Sequence, residues 1–439
     1  MELSGQRVLV MGLGRSGVAA ARLAVARGAR VVGIDLRTGL SPIDGVTLEL
    51  GPHRRERFLE ADLIVVSPGI PPRQADLQAA GEAGVAIVGE LGFAAGFLEQ
   101  PMIAITGTNG KSTVTWFTGQ LLRAAGRRPF VGGNLGNPLC DALLADQAHD
   151  TLVVEVSSYQ LELMGPLKPD VGVILNLSPD HLARHGDMAG YAAAKARLFA
   201  HMGEEQLAIL PWGDALLQDA ARPHGGRRGW LGGAPGVRRS GRRVEVVLGG
   251  ERQLLSLEGF AVPGEHNLDN AATAAYLALA IGIESRAVAA ALPGLSALSH
   301  RMEVVAELRG VRYVNDSKAT NLDAARAGIA GLEQPAVVLL GGQGKPNPDG
   351  SLGFGQLQPH LERHRAVVAF GEAGPQITEE LSAVGIEVRP TGTLADALAL
   401  ASELARPGDA VLLSPGCASF DAFDDFEHRG RAFAELVSR

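Results

Sequence analysis

Residues 106–113, TGTNGKST, place a lysine and two hydroxyl residues directly behind a glycine turn, after the apolar run MIAI and before VTWFTGQLLRAAG. The backbone N–H groups of such a turn, with the start of the helix that follows, surround a phosphate chain. In that arrangement Lys111 neutralises the terminal phosphates and Ser112 reaches magnesium. Gly107, Thr108, Asn109, Gly110 and Thr113 complete the cradle. Only Thr108 and Asn109 separate Gly107 from Gly110, so the loop is shorter than the Walker pattern. The strand before it and the helix after it are what favour a nucleotide over a chance lysine.

Further groups should converge on the same edge. Glu155 ends the strand TLVVE, where a carboxylate is well placed to hold magnesium or its waters. His181, with Asp180, follows the strand VGVILNL and a turn, which suits a ligand or an orienting role, although an isolated histidine is more often structural. Asn134 in VGGNLG is an amide donor between glycines that allow close backbone approach. Lys195 in YAAAKARLF lies one helical turn after Tyr191 among alanines too small to satisfy it, so its head group reaches either solvent or a partner.

A second glycine turn, Gly12, Gly14 and Gly17 in MGLGRSG, precedes Asp35 by about one helix and one strand. That spacing invites a dinucleotide reading with Asp35 on a ribose. With a triphosphate loop in the same chain, a holder for another pyrophosphate-bearing molecule is the better account.

The elements that position these residues repeat as strand, helix, strand, which predicts α/β domains with parallel sheets. QRVLV, VVGID and ADLIVVSPG open the first domain, 1–93. MIAI, TLVVE, VGVIL and EQLAIL, then a glycine-rich antiparallel excursion and the helix of PGEHNLDNAATAAYLALAIG, make the second, 94–298. RYVNDS, AVVLLGG, AVVAFGE and AVLLSPG make the third, 299–439. A chain of 439 residues is long enough for several cores.

The formal charge of −8 is mild, and two cysteines, Cys140 and Cys417, make no disulfide framework and fit a reducing cytoplasm. We expect no signal segment and no stable membrane insertion, since no apolar run nears the roughly 20 residues that a span requires. The arginine-rich tract 225–243 lacks regular aromatic interleaving, so it reads as a solvated hairpin or loop and no nucleic-acid partner is expected.

Taken together, GTNGKST, VEVSSYQL, NLSPDH, YAAAKARLF, PGEHNLDNAATA, HRMEVVAE, NDSKATN and LLSPGCASFDAFDDFEHRG resemble the Mur ligase family, in the family's order and over nearly the whole chain. The last block, GLGRSG and SPGIPP look most like its D-glutamate-adding members. The resemblance implies a Rossmann-like N-terminal domain for the UDP moiety, a P-loop ATPase-like central domain and a Rossmann-like C-terminal domain for the amino acid. It implies ATP and Mg2+, with UDP-N-acetylmuramoyl-L-alanine and D-glutamate as partners, and a monomer.

It also implies roles for single residues. Lys111, Ser112 and Glu155 would serve the phosphates and a first magnesium, and His181 with a carbamylated Lys195 a second. Asn134 would help hold the UDP-sugar-peptide, with Gly14, Ser16, Asp35 and Ser67 on the same substrate. Asn267 would contact the adenine side, while Arg301 and Asp316 would reach ATP phosphate and ribose. Thr320, Lys345, Ser419 and Phe426 match positions that bind D-glutamate. Leu36 stands where a hydroxyl often helps to hold uracil, and the tract 225–243 matches no family motif. Sibling ligases and folylpolyglutamate synthetases share the ATP machinery, and a nucleotide switch is the alternative outside enzymes.

Overall fold

The computed structural model describes residues 3–145, 148–344, 346 and 350–439. Three sheets account for its strands, and the architecture is the expected α/β arrangement of a Rossmann-like N-terminal domain, a P-loop ATPase-like central domain and a Rossmann-like C-terminal domain. By contacts the chain divides into two compact units: residues 1–258 with 271–293, and residues 259–270 with 294–439. The first two sheets fall in the first unit.

The first sheet holds β1 (Arg7–Met11), β2 (Arg30–Asp35), β3 (Val46–Leu50), β4 (Leu63–Val66) and β5 (Ala86–Gly89), all parallel in the order β3-β2-β1-β4-β5. Alternate residues of β1 fill opposite faces: Val8 and Val10 join one core, Leu9 and Met11 the other. The order reverses beside β1, which puts the loop Gly12–Gly17 at the switch point where such sheets bind ligands.

The central sheet holds β6 (Met102–Thr106), β7 (Pro129–Gly133), β8 (Thr151–Glu155), β9 (Val171–Ile174), β10 (Leu207–Pro211), β11 (Arg227–Leu231), β12 (Gly236–Ser240), β13 (Arg243–Leu248) and β14 (Glu251–Ser256). Its order is β14-β13-β12-β11-β10-β9-β6-β8-β7, with β12, β13 and β14 antiparallel. β6 is buried throughout and lies between β8 and β9, so the loops after β6, β8 and β9 share one edge. Of the hairpin or loop expected for the tract 225–243, the structure shows the hairpin: β12 turns into β13 with Ser240 opposite Arg243, and β11 and β12 extend this sheet. Arg228 donates to the carbonyls of Ala221, His224 and Gly225, which anchors the strand's start.

In the second unit, β15 (Glu303–Leu308), β16 (Val311–Asn315), β17 (Ala336–Gly341), β18 (Ala366–Phe370), β19 (Val388–Pro390) and β20 (Ala410–Gly416) take the order β15-β16-β20-β17-β18-β19. Val338 and Leu340 of β17 face one core, Val337 and Leu339 the other. Among the described residues, no helix is long and apolar enough to cross a membrane.

Candidate active site

The loop after β6 is built on two glycines with left-handed backbone, Gly107 (φ 148°) and Gly110 (φ 83°). A Cβ at Gly107 would lie 3.0 Å from that of Leu175, so both dihedral freedom and space require glycine here. Gly110 caps the helix Lys111–Ala124, whose first N–H groups have no partner within the helix and are available to an anion. Lys111 Nζ donates to the Thr108 carbonyl at 2.7 Å. Ser112 and Thr113 are buried in the first turn.

Asn176 organises this loop. Its side-chain oxygen accepts the N–H groups of Thr108 and Asn109 at 3.2 and 2.9 Å, and its Nδ2 donates to the Asn109 carbonyl at 3.0 Å. Sequence reasoning misses this role. The available signal was a polar residue closing the apolar run VGVIL beside a glycine loop. Thr108 Oγ1 also accepts the Ser178 N–H at 3.0 Å, tying the loop to the segment that leads to Asp180 and His181.

Lys195 does not reach solvent. It is 1% exposed, and Nζ donates to the Gly107 carbonyl at 2.8 Å while standing 4.3 Å from the Tyr191 ring centre. The helix Met188–Ala196 begins on the Asp187 side chain and sets Tyr191 and Lys195 one turn apart, so the aromatic face meets the lysine nitrogen. Burial, with the charge of Lys111 adding to it, lowers the Lys195 pKa to about 6. The side chain is therefore largely a neutral amine at neutral pH.

Glu155, 2% exposed, takes Asn134 Nδ2 on one oxygen at 2.8 Å, and the Asn134 N–H bonds the Glu155 carbonyl at 2.8 Å. Thus the amide of Asn134 bonds a carboxylate of the chain itself. His181 occupies left-handed backbone (φ 54°), uncommon for a residue with a Cβ, and about 40% of its side chain is exposed. Its Nδ1 lies 3.1 Å from the Tyr159 hydroxyl and its Nε2 3.3 Å from Asp180.

In the first sheet the three glycines have separate tasks. Gly12 takes φ 85°; a Cβ on Gly17 would sit 1.8 Å from the Gly12 carbonyl; Gly14 has open space and caps the helix Arg15–Ala26 that carries Ser16. Ser67 Oγ donates to the Gly12 carbonyl at 2.7 Å. Asp35 accepts the Leu13 N–H at 2.7 Å and a fork from Arg37 at 2.9 and 3.0 Å. Those bonds hold the Asp35 carboxyl far below the usual carboxylate range. Leu36 points outward, 71% exposed.

In the second unit, Asn267 is buried and donates to the Pro263 carbonyl at 2.7 Å. Arg301 is half-buried. Asp316 is turned inward, 1% exposed, accepting the Ser414 hydroxyl at 2.9 Å and the Met302 N–H at 3.3 Å. Burial raises the Asp316 pKa to about 6, against the charge of Arg301. Thr320 is half-buried after β16, Ser419 is buried after β20, and Phe426 starts the helix Phe426–Val437 with Lys318 Nζ 4.9 Å above its ring. Lys345 lies outside the described residues. Arg429, fully buried, gathers these loops: it bonds Ser317 Oγ and the carbonyls of Ser317, Gly341, Cys417 and Ala418. Its spacing from Phe433 and Val437 was the sequence signal that puts it on the inner helix face.

Among the described residues no group of three or more His, Cys, Asp or Glu side chains forms a ready metal cage. Magnesium commonly uses one or two carboxylates and leaves the remaining positions to waters and substrate phosphates. A buried Glu155 and Ser112 beside a phosphate loop suit that ion.

Strand, glycine loop and helix, with Lys111 half-buried and Lys195 buried, define a nucleotide-binding α/β protein. Comparison with known proteins sharpens this. The chain matches the families described as Mur ligase MurD-like, N-terminal domain (residues 6–89), Mur ligase middle domain (105–278) and Mur ligase, glutamate ligase domain (300–417). It is 39% identical to the UDP-N-acetylmuramoylalanine--D-glutamate ligase of Desulfosudis oleivorans, covering 100% of this chain and 97% of the relative. It is 41% identical to the enzyme of the same name from Anaeromyxobacter dehalogenans, covering 100% and 98%. Its fold resembles that of the UDP-N-acetylmuramate-alanine ligase of Thermotoga maritima, with a TM-score of 0.61, 18% identity and 99% of each chain covered. The chain belongs to the Mur ligase family.

Proposed function

We propose that this protein is an ATP-dependent ligase joining D-glutamate to the alanyl carboxylate of UDP-N-acetylmuramoyl-L-alanine, a step of peptidoglycan precursor synthesis in the cytoplasm. The observation that carries the ATP-using part is the bonding of Lys111 and Lys195 into the loop after β6, next to Glu155. The choice of amino acid is supported by full-length similarity to D-glutamate ligases. Residues 1–93, 94–298 and 299–439 serve the UDP substrate, ATP and the amino acid in turn.

A carboxylate is a poor acyl donor, so it must first be activated. One of its oxygens attacks the terminal phosphorus of ATP, ADP leaves, and an acyl phosphate results. The D-glutamate amine then adds to the acyl carbon, a proton is lost, and phosphate departs from the tetrahedral intermediate. Residues 107–113 and Lys111 hold the phosphates, and Asn267, Arg301 and Asp316 serve the nucleotide. Ser112 and Glu155 would hold Mg2+, with His181 and Lys195 at a second ion. Such ions spread charge on the transferring phosphoryl group. Gly14, Ser16, Asp35, Ser67 and Asn134 seat the UDP substrate, and Thr320, Lys345, Ser419 and Phe426 the amino acid. Proximity supplies much of the rate.

Lys195 suits carbamylation: its neutral amine adds to carbon dioxide, forming an N–C bond and releasing a proton, and the product offers oxygens to a cation. Measuring ADP release with a panel of UDP-muramoyl acceptors and amino acids tests the function. Sustained ADP release should require UDP-N-acetylmuramoyl-L-alanine and D-glutamate together, and slow hydrolysis indifferent to both would point to a nucleotide switch instead.

A further inference from the structure

A half-buried cation outside the roles above links the first sheet to the His181 segment. Arg184, on the short helix Leu182–His185 that His181 caps, donates to Glu162 through Nη2 at 2.6 Å and through Nε at 3.1 Å to both oxygens. Its Nη2 also reaches the Ile70 carbonyl at 3.3 Å. Its guanidinium stands 5.0 Å over the Tyr159 ring, and the Tyr159 hydroxyl lies 3.1 Å from His181 Nδ1. On the other side, the Ile70 N–H bonds the Ser67 carbonyl at 3.0 Å, and Ser67 Oγ bonds the Gly12 carbonyl. A continuous series of contacts therefore runs from the glycine loop after β1 to the His181 ring. A narrow cleft beside it, of about 10 Å³, is lined by Ser67, Ile70, Tyr159 and Glu162, among others.

We infer that Arg184 is a positioning residue which couples the seating of the UDP substrate on the Ser67–Ile70 turn to the orientation of His181. The substrate named here rests on the ligase reading. The side chains of Arg184 and Glu162 are only 17% and 16% exposed, so this pair is screened less than a surface pair. Only a guanidinium can fork onto a carboxylate and reach a third acceptor while its planar group stands over an aromatic ring, so lysine is not an equivalent. Coupling of this kind is reciprocal: whatever the UDP substrate does for nucleotide affinity, the nucleotide does for UDP-substrate affinity.

Calorimetry on the full chain should measure the affinity for UDP-N-acetylmuramoyl-L-alanine with and without the magnesium complex of a non-hydrolysable ATP analogue. In the wild type the two values should differ by about 5-fold or more, the range in which coupled sites fall. In Arg184→Lys the ratio should collapse to below about 2-fold while each single-ligand affinity moves by less than about 3-fold. Tyr159→Phe should give an intermediate ratio, since the ring stays and the hydroxyl contact goes. The ratio surviving in Arg184→Lys, or a wild-type ratio of one, overturns the proposal. If the wild type binds no UDP compound, the ligase reading itself fails. Nitrogen-15 spectra of the His181 ring in the unliganded protein then decide: a shift on Arg184→Lys supports the positioning role, and an unchanged signal overturns it.

Discussion

The two glycine loops look alike in sequence and differ in which of their backbone groups meet charge. After β1, the Leu13 N–H goes to Asp35, whose charge is matched by Arg37. After β6, the carbonyls of Thr108 and Gly107 take Lys111 and Lys195, leaving the Lys111 cation and a second donor, the Lys195 amine, beside the N–H groups at the helix start. The first loop is closed on its own carboxylate and presents a glycine with open space, which suits a ligand recognised by shape and by a few polar contacts. The second concentrates positive charge in a buried place, where a polyphosphate gains most from it. A common strand, turn and helix can thus hold two different ligands because distant side chains set the polarity.

The largest expected effect comes from the second loop. Lys195→Ala should fold and lose at least about 100-fold in turnover, the scale seen when a partner of a metal site is removed. Short carboxylic acids should partly restore it by filling the vacant anionic position. Because the amine is neutral above its pKa of about 6, bicarbonate should reactivate carbon dioxide-depleted wild type above that pH and fail below it. A bare amine in the active enzyme, with no rescue of the variant, removes the carbamate.

Asp35→Asn probes the first loop. The amide still accepts the Leu13 N–H but loses the charge opposite Arg37, so KM for the UDP substrate should rise about 10-fold, the value of one hydrogen bond to a charged group. KM for ATP should not move. Equal changes in both constants would show that the loops do not act separately, and tight NAD binding without a response to uridine compounds would reverse the assignment of this domain.

The smallest effect is on stability. Glu90 begins the helix after β5 and accepts the Cys140 N–H at 2.7 Å, joining the regions that carry the two loops. Burial raises its pKa from 4.5 to about 7. The folded state holds this proton more tightly than the unfolded one, so the stability it lends is complete below about pH 4.5 and fades as pH rises to about 7. Glu90→Gln keeps the acceptor and cannot ionise. At pH 8 it should be more stable than wild type by roughly 2–3 kcal/mol, and equal to it near pH 4.5. Asp35 acts in the opposite sense: its depressed pKa stabilises above the ordinary carboxylate range and that contribution is lost in acid. Melting curves across pH separate the two.

Legibility followed local signals. Short apolar runs ending at glycine, serine or another polar residue identify β1, β2, β4, β6, β8, β9, β10, β16, β17, β18 and β20. β3, β5, β7, β15 and β19 escape because their residues are partly polar or sit at or near sheet edges, where one face meets water. Within the tract 225–243 the hairpin of β12 and β13 is legible and β11 is not, since arginines on an outlying strand look like loop residues.

The amino-acid sequence by itself determined the two glycine loops, the family, and which lysines and carboxylates stand at strand ends, because turns and strand termini are set by neighbours along the chain. Only the tertiary structure decided that Lys195 is buried against Gly107, that Asp316 faces inward, that Asp35 takes the Leu13 N–H, and that Arg429 and Asn176 hold loops together. The reason is physical. A charge's state depends on the water it loses and on partners tens of residues away, and neither is fixed until the sheets have packed.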